Sequence, residues 1–204
     1  MTALTIASVQ FKRHANDKFF NLTTIRSFAG QASKQNVDIL IFPELCIPGF
    51  LGESDLSQVQ ADRLAESFPD GLSCLYLQHQ AELFDLNIGA GMVEADNGLY
   101  FNTFVMAMRD GRLERHRKSC LFGEHSGPCN DHGVFKLPDG LITGILSDSE
   151  SREGVHINAM AENGARLILT SHPKGSVRVL DDKGQLLAET AGTMDTLDVV
   201  TVDI

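Results

Sequence analysis

No apolar run in the 204 residues approaches the roughly 20 needed to cross a bilayer. Met1 to Gln10 lacks the basic start and cleavage pattern of a secretory leader. The expectation is a soluble, cytoplasmic protein. Clustered basic residues are also missing: 17 Lys and Arg against 27 Asp and Glu leave a formal net charge of -10. Nucleic-acid backbones and anionic membrane surfaces reward clustered Lys and Arg, so neither is expected as a partner. A small-molecule ligand or substrate fits better. The four cysteines Cys46, Cys74, Cys120 and Cys129 contain no C-x-x-C pair, which suits reduced thiols, any one of which could be a nucleophile. Cys120, His125, Cys129 and His132 lie close in sequence, but their spacing matches no standard zinc finger, and neither metal nor cofactor is expected. Repeats, low-complexity tracts and linkers are absent, which points to one domain over residues 1–204.

What is present alternates between strand and helix patterns. Leu4 to Phe11 reads as a strand, and Asn16 or Asp17 caps a helix carrying Leu22, Ile25, Phe28, Ala29 and Ala32 at helical spacing. Asp38 to Phe42 is a short continuous apolar run, as expected of a strand covered on both faces. Ser57 to Ala65 and Leu72 to Phe84 read as helices separated by Pro69-Asp70-Gly71. Leu86 to Glu94, Tyr100 to Met108 and Leu113 to His116 form a meander joined by Asp96-Asn97-Gly98 and Asp110-Gly111 turns. Ser119 to Asp131 has no period and reads as a surface loop. Leu141 to Leu146 is another buried strand, followed by a polar turn and a helix near Glu153 to Asn163 that Gly164 ends. Leu167 to Thr170, Val177 to Leu180, Gln185 to Ala188 and Val199 to Val202 complete the strands.

Three ordered motifs stand on this frame. The first is Phe42-Pro43-Glu44 after the second strand, with Pro48-Gly49-Phe50 beyond it. The second is Tyr100-Phe101-Asn102-Thr103, a strand, a turn, a strand, then His116-Arg117-Lys118 and Leu121-Phe122-Gly123-Glu124. The third is Gly144, a polar elbow, a helix, and Gly164-Ala165 before a strand. Together these resemble the nitrilase-type carbon-nitrogen hydrolases over most of Thr5 to Ser171. The resemblance implies a four-layer α-β-β-α sandwich, two sheets back to back with helices outside. It also implies Glu44 as general base, Lys118 as the ammonium that stabilises an oxyanion, and Glu124 as a second carboxylate orienting the lysine or the substrate. A homo-oligomer is implied too, and Val155, Ala159 and Met160 on the post-elbow helix are its candidate face.

In such enzymes a thiolate attacks a carbonyl or nitrile carbon, a carboxylate takes the thiol proton, and an ammonium meets the developing charge. The family's cysteine falls four residues after the strand glycine and sixteen before the next Gly-Ala. From Gly144 and from Gly164 that position is Asp148, flanked by Ser147 and Ser149, with Glu150 and Arg152 matching charged residues beyond the elbow. An aspartate is already charged and cannot be activated by Glu44. Two carboxylates beside Lys118 would share its charge or retain a proton. A second departure follows Ser171, where His172-Pro173-Lys174-Gly175 leads almost directly into the closing hairpin and a helix and strands usual in the family are missing. The expectation is a family member that has kept the fold and part of the pocket but not amide or nitrile hydrolysis, binding a small molecule or a partner subunit. The alternatives are a hydrolase using Ser147, Ser149, Cys120 or a carboxylate-activated water, and a plain structural α/β domain.

Overall fold

The computed structural model describes residues 3–124, 126–129 and 131–204. The chain opens with β1 (Ala3–Gln10), α1 (Lys18–Ser33) and β2 (Ile39–Ile41), followed by α2 (Gln58–Leu64) and α3 (Leu72–Phe84). The meander follows as β3 (Asn87–Asp96), β4 (Leu99–Ala107) and β5 (Leu113–Cys120), with β6 (Gly127–Pro128) paired to its end. The second half holds β7 (Val134–Lys136), β8 (Ile142–Ser147), α4 (Gly154–Glu162), β9 (Leu167–Ser171), β10 (Val177–Asp181), β11 (Leu186–Glu189) and β12 (Thr196–Asp203).

Among the described residues these strands make two sheets, ordered β12-β1-β2-β3-β4-β5-β6 and β11-β10-β9-β8-β7. The period-2 alternation of side chains decides how they stack. Leu4, Ile6, Ile39, Ile41, Phe104 and Met106 face Phe135, Ile145, Leu167, Leu169, Val177 and Val179 across one apolar layer between the sheets. The opposite face of the larger sheet, through Ala7, Val9, Leu40 and Ile88, packs on Ile25, Phe28 and Ala29 of α1 and Cys74, Leu77 and Ala81 of α3. The opposite face of the smaller sheet, through Leu146, Ile168 and Leu180, packs on Ile157 and Met160 of α4. The result is the α-β-β-α sandwich expected. β2 is buried along its whole length, which explains why its sequence is continuously apolar rather than alternating. Each such side chain contributes roughly 1.5–3 kcal/mol on burial.

Local signals set the element ends. The Asp17 carboxylate accepts from Phe20 N at the start of α1, and Ser57 with Gln60 closes a capping box at α2. The β3–β4 turn places Asn97 and Gly98 at φ 49° and 79°, the left-handed pair that a two-residue hairpin requires. One expectation needs correction. The segment Ser119 to Asp131 is not wholly loop, because β5 runs on through Cys120 and pairs with Gly127–Pro128. Polar residues hid this extension: Arg117, Lys118 and Ser119 break the apolar pattern because they serve ion pairs and a pocket instead of a core. Strand β7 went unread because three residues are too short to show a period. On α4, Met160 is buried against Gly144, where an added Cβ would lie 2.4 Å from its Sδ, whereas Val155 is exposed.

Candidate functional site

Glu44 sits in the loop that leaves β2, and backbone geometry fixes it there. Ile47 N donates to Gly91 O at 3.1 Å, Gly91 N donates to Pro43 O at 3.3 Å, and Leu45 is held at a left-handed φ of 48° although it is fully buried. Gly91 lets this loop lie against β3, since a Cβ there would be 2.3 Å from Leu45 N and 2.7 Å from Glu44 Cα. Arg13 ties the same loop to the turn after β9, donating to Phe50 O at 3.0 Å and to Pro173 O at 2.8 Å. Backbone strain and a partly buried guanidinium thus hold the loop that carries the Glu44 carboxylate.

Lys118 meets that carboxylate from β5. Its Nζ lies 2.9 Å from Glu44 Oε2 and 3.5 Å from Glu53 Oε1. Asn102 on β4 donates to both acids, at 2.8 Å to Glu53 Oε1 and 3.2 Å to Glu44 Oε2, and Ser119 Oγ donates to Glu53 Oε1 at 2.6 Å. Burial raises the Glu44 pKa, outweighing the pull of Lys118 and Asn102. Burial works against the Lys118 charge as well, yet Glu44 and Glu53 hold its ammonium above its ordinary pKa. Glu53 is half-open; burial opposes its charge, but Asn102, Ser119 and Lys118 together keep its pKa below the usual value. Glu53 therefore supplies the second carboxylate at Lys118, and Glu124 is an exposed turn residue. Nothing in the sequence around Glu53 marks it, since Glu53 and Asp55 read as an ordinary polar loop.

Glu44, Lys118, Asn102, His116, Ser147 and Ser171 line a cavity of about 10 Å³. That is room for about one water. Strand alternation puts Ser147 there: Thr143, Ile145 and Ser147 share the face of β8 turned toward the other sheet, and Gly144 and Leu146 share the face turned toward α4. Asp148 follows the strand and is not among the lining residues. Its carboxylate accepts from Arg178 at 2.9 Å and Arg152 at 2.7 Å, and it borders a separate cavity with Thr170, His172, Ser176 and Glu189. The structure thus brings Glu44 and Lys118 together and sets Asp148 and Glu124 apart from them.

Behind Ser147 lies a second buried pair. His116 Nε2 is 3.0 and 3.1 Å from the two carboxylate oxygens of Glu150, Ser147 N donates to Glu150 Oε2 at 2.8 Å, and Glu150 N donates to Ser147 Oγ at 3.2 Å. Burial opposes the Glu150 charge, but His116 and the Ser147 bonds draw its pKa below the ordinary value. Lys118 and Glu150 also border an outer recess of about 460 Å³ that includes Glu53, Cys120, Ser149 and His156.

No cysteine reaches the inner cavity among the described residues. Burial pushes the Cys46 and Cys74 thiols up to about 12, which keeps them protonated at neutral pH. Of the four residues weighed as a zinc set, His125 lies outside the described residues. Among the described residues no three His, Cys, Asp or Glu side chains gather as a metal site.

A family model described as Carbon-nitrogen hydrolase matches residues 5–197. The chain belongs to the carbon-nitrogen hydrolase family. Its sequence is 25% identical over 172 residues to an (R)-stereoselective amidase of Pseudomonas sp, covering 83% of this chain and 60% of that one. It is 26% identical over 117 residues to a nitrilase of Pyrococcus abyssi (strain GE5 / Orsay), covering 57% of this chain and 44% of that one. The carbon-nitrogen hydrolase chain described here therefore spans about half of these relatives' length. Saccharomyces cerevisiae Nit3, a member of branch 10 of the nitrilase superfamily, shares the fold with a TM-score of 0.78 at 18% identity, over 98% of this chain and 90% of that one. No helix among the described residues is long and apolar enough to cross a membrane.

Proposed function

We propose that this carbon-nitrogen hydrolase-family chain does not hydrolyse amides or nitriles through a cysteine, and that its Glu44–Lys118 pocket binds a small molecule. One observation carries the reading: the polar β8 residue lining the Glu44–Lys118 cavity is Ser147, and the Asp148 carboxylate is engaged by Arg178 and Arg152. Glu44 and Lys118 keep the charges that would serve a thiol, but no thiol faces them among the described residues. Losing a nucleophile costs on the order of 10⁶ in kcat where it has been measured. The inner cavity, with room for about one water, holds no acyl group and leaving group together without opening. The recess beyond Lys118 is large enough for a small ligand.

The test installs the missing thiol. Ammonia release from a panel of small amides and nitriles is measured for the parent, Ser147→Cys and Asp148→Cys. The parent should release none, and Ser147→Cys should gain measurable turnover, because position 147 faces the base and the ammonium. Ammonia release by the parent at rates comparable with an amidase would end this reading.

A further inference from the structure

We infer that Cys120 and Cys129 are a modification site, a thiol pair that closes into a reversible disulfide and so draws β6 across β5 and moves one wall of the recess beside Lys118. The inference needs neither Glu44 nor a bound ligand, and it stands apart from the small-molecule reading proposed above. The strand register carries it. Cys120 lies opposite Gly127 in the β5–β6 ladder, and Cys129 N donates to Lys118 O at 3.0 Å, which makes Cys129 the diagonal neighbour of Cys120. Both cysteines border one cavity of about 550 Å³, together with Phe101, Arg115 and Arg117.

The residue facing Cys120 on β6 carries no side chain, and a Cβ added at Gly127 would meet nothing within 4 Å, so the space over it is open to the two thiols. A bulge sets their face: β4 pairs Asn102 with Ser119 and Thr103 with Arg117, which leaves Lys118 unmatched and lets it reach Glu44 while Arg117 and Cys120 border the outer cavity. Diagonal neighbours on an antiparallel pair stand about 7–8 Å apart at Cα, with their Cβ atoms somewhat closer. A disulfide needs about 4.4–6.8 Å at Cα, so closing the bond pulls Cys129 toward Cys120 rather than locking the ladder as it stands. Strand β6 is free to follow, being two residues long at the edge of its sheet. A bond that works against the resting geometry is easily reduced again, as a regulatory disulfide must be. Cys120, Gly127 and Pro128 also border the outer recess of about 460 Å³, which is how the bond reaches that wall.

The oxidant is a small soluble disulfide, for which glutathione disulfide serves. Cys129 is the partly exposed member of the pair and Cys120 the buried one, so Cys129 reacts first. Its thiolate forms a bond to one sulfur of glutathione disulfide, the S–S bond there breaks, and one glutathione thiolate leaves. The Cys120 thiolate then attacks the Cys129 sulfur of the mixed disulfide, the protein S–S bond forms, and the second glutathione thiolate leaves. The chain has lost two electrons and two protons, and glutathione disulfide has taken them up as two thiols. Burial and the neighbouring Cys120 thiol raise the Cys129 pKa, which makes the first step faster in mildly alkaline solution. Cys46 and Cys74 are buried thiols that stay protonated and take no part.

The experiment incubates the whole folded chain with glutathione disulfide at about pH 8, quenches with acid, and maps the peptides by mass spectrometry without reduction. Trypsin leaves both cysteines in the peptide 119–136, which should be lighter by two hydrogens and return to its reduced mass with dithiothreitol. A further cut after Glu124 should leave two pieces that separate only on reduction. Cys120→Ser and Cys129→Ser should each abolish the mass loss. Hydrogen–deuterium exchange across residues 119–129 should slow in the oxidised parent and be unchanged by the same treatment in Cys129→Ser. A separate arm needs no oxidation: dibromobimane, which fluoresces only when it bridges two thiols, should light up the reduced parent and neither serine variant. Glutathione adducts on single cysteines with no internal bond, or an internal bond that involves Cys46 or Cys74, would overturn the pairing. Dibromobimane fluorescence that persists in Cys129→Ser overturns it too, and exchange unchanged by oxidation overturns the movement of β6. Each of these failures leaves the small-molecule reading untouched, since that reading depends on Glu44 and Lys118.

Discussion

Replacing Lys118 with methionine removes the one ammonium between two carboxylates. The Glu44 side chain is 9% exposed, against 23% for Lys118 and 35% for Glu53. Breaking a fully buried pair by deleting one partner costs about 3–5 kcal/mol. Screening at the more open Lys118 and Glu53 reduces this to about 2–3 kcal/mol at neutral pH. At 2–4 °C per kcal/mol for a chain of this size, the melting temperature should fall by about 4–12 °C. The loss should also depend on pH. Burial already raises the Glu44 pKa in the parent, and without Lys118 it rises further. A group with a raised folded pKa contributes stability that is fully present below its unfolded value and is lost as pH rises through the folded one. Lys118→Met should therefore lie closest to the parent near pH 5 and furthest from it near pH 8. Adding Glu44→Gln should restore most of the deficit at pH 8, since an uncharged amide keeps the bond to Asn102 without the charge. Thermal melts of the parent, the single variant and the double variant across pH 5–8 decide the matter. An equal deficit at both ends of that range, or no recovery in the double variant, would refute the buried ion-pair argument.

Three further outcomes are expected. Gly91→Ala should cost about 3 kcal/mol in urea unfolding, because its Cβ would strike the backbone at Leu45 and Glu44, which cannot swing aside as a side chain can; a cost below about 1 kcal/mol would show that the loop is loosely held. Asp148→Asn should cost about 1 kcal/mol, more at low salt than at high, since it uncouples two partly exposed arginines, and it should leave ligand-induced melting shifts at the Glu44 pocket unchanged. Glu150 has a lowered folded pKa, so its contribution is present above the ordinary carboxylate value and is lost as pH falls through the folded one; Glu150→Gln should destabilise the protein at pH 7 and flatten its acid unfolding between about pH 4 and pH 2.

Periodic and capped segments were legible in the sequence. The helix Leu72–Phe84 starts after Gly71 and ends at the left-handed Asp85, and the hairpin turn at Asn97-Gly98 carries its own chemistry, so local rules sufficed. Glu44 and Lys118 were legible because each follows or ends a strand in an order the family shares. Glu53 was not, because a residue in an irregular loop has no pattern tying it to a strand 65 positions away in the sequence. His116 and Glu150 were quoted as motif neighbours, yet their pairing joins β5 of one sheet to the turn after β8 of the other, a contact that no local signal records. Asp148 shows the limit of counting along a chain. The spacing from Gly144 and Gly164 identifies a position, but the alternation of β8 turns Ser147 toward Glu44 and leaves Asp148 to Arg178.

The most direct test of the central claim is ammonia release by the unmodified protein from small amides and nitriles, with and without prior iodoacetamide treatment. With no thiol facing Glu44 and Lys118 among the described residues, the account predicts release no greater than that of the Lys118→Met protein, and no effect of alkylation. Turnover well above that of Lys118→Met, abolished by alkylation of a cysteine, would contradict it.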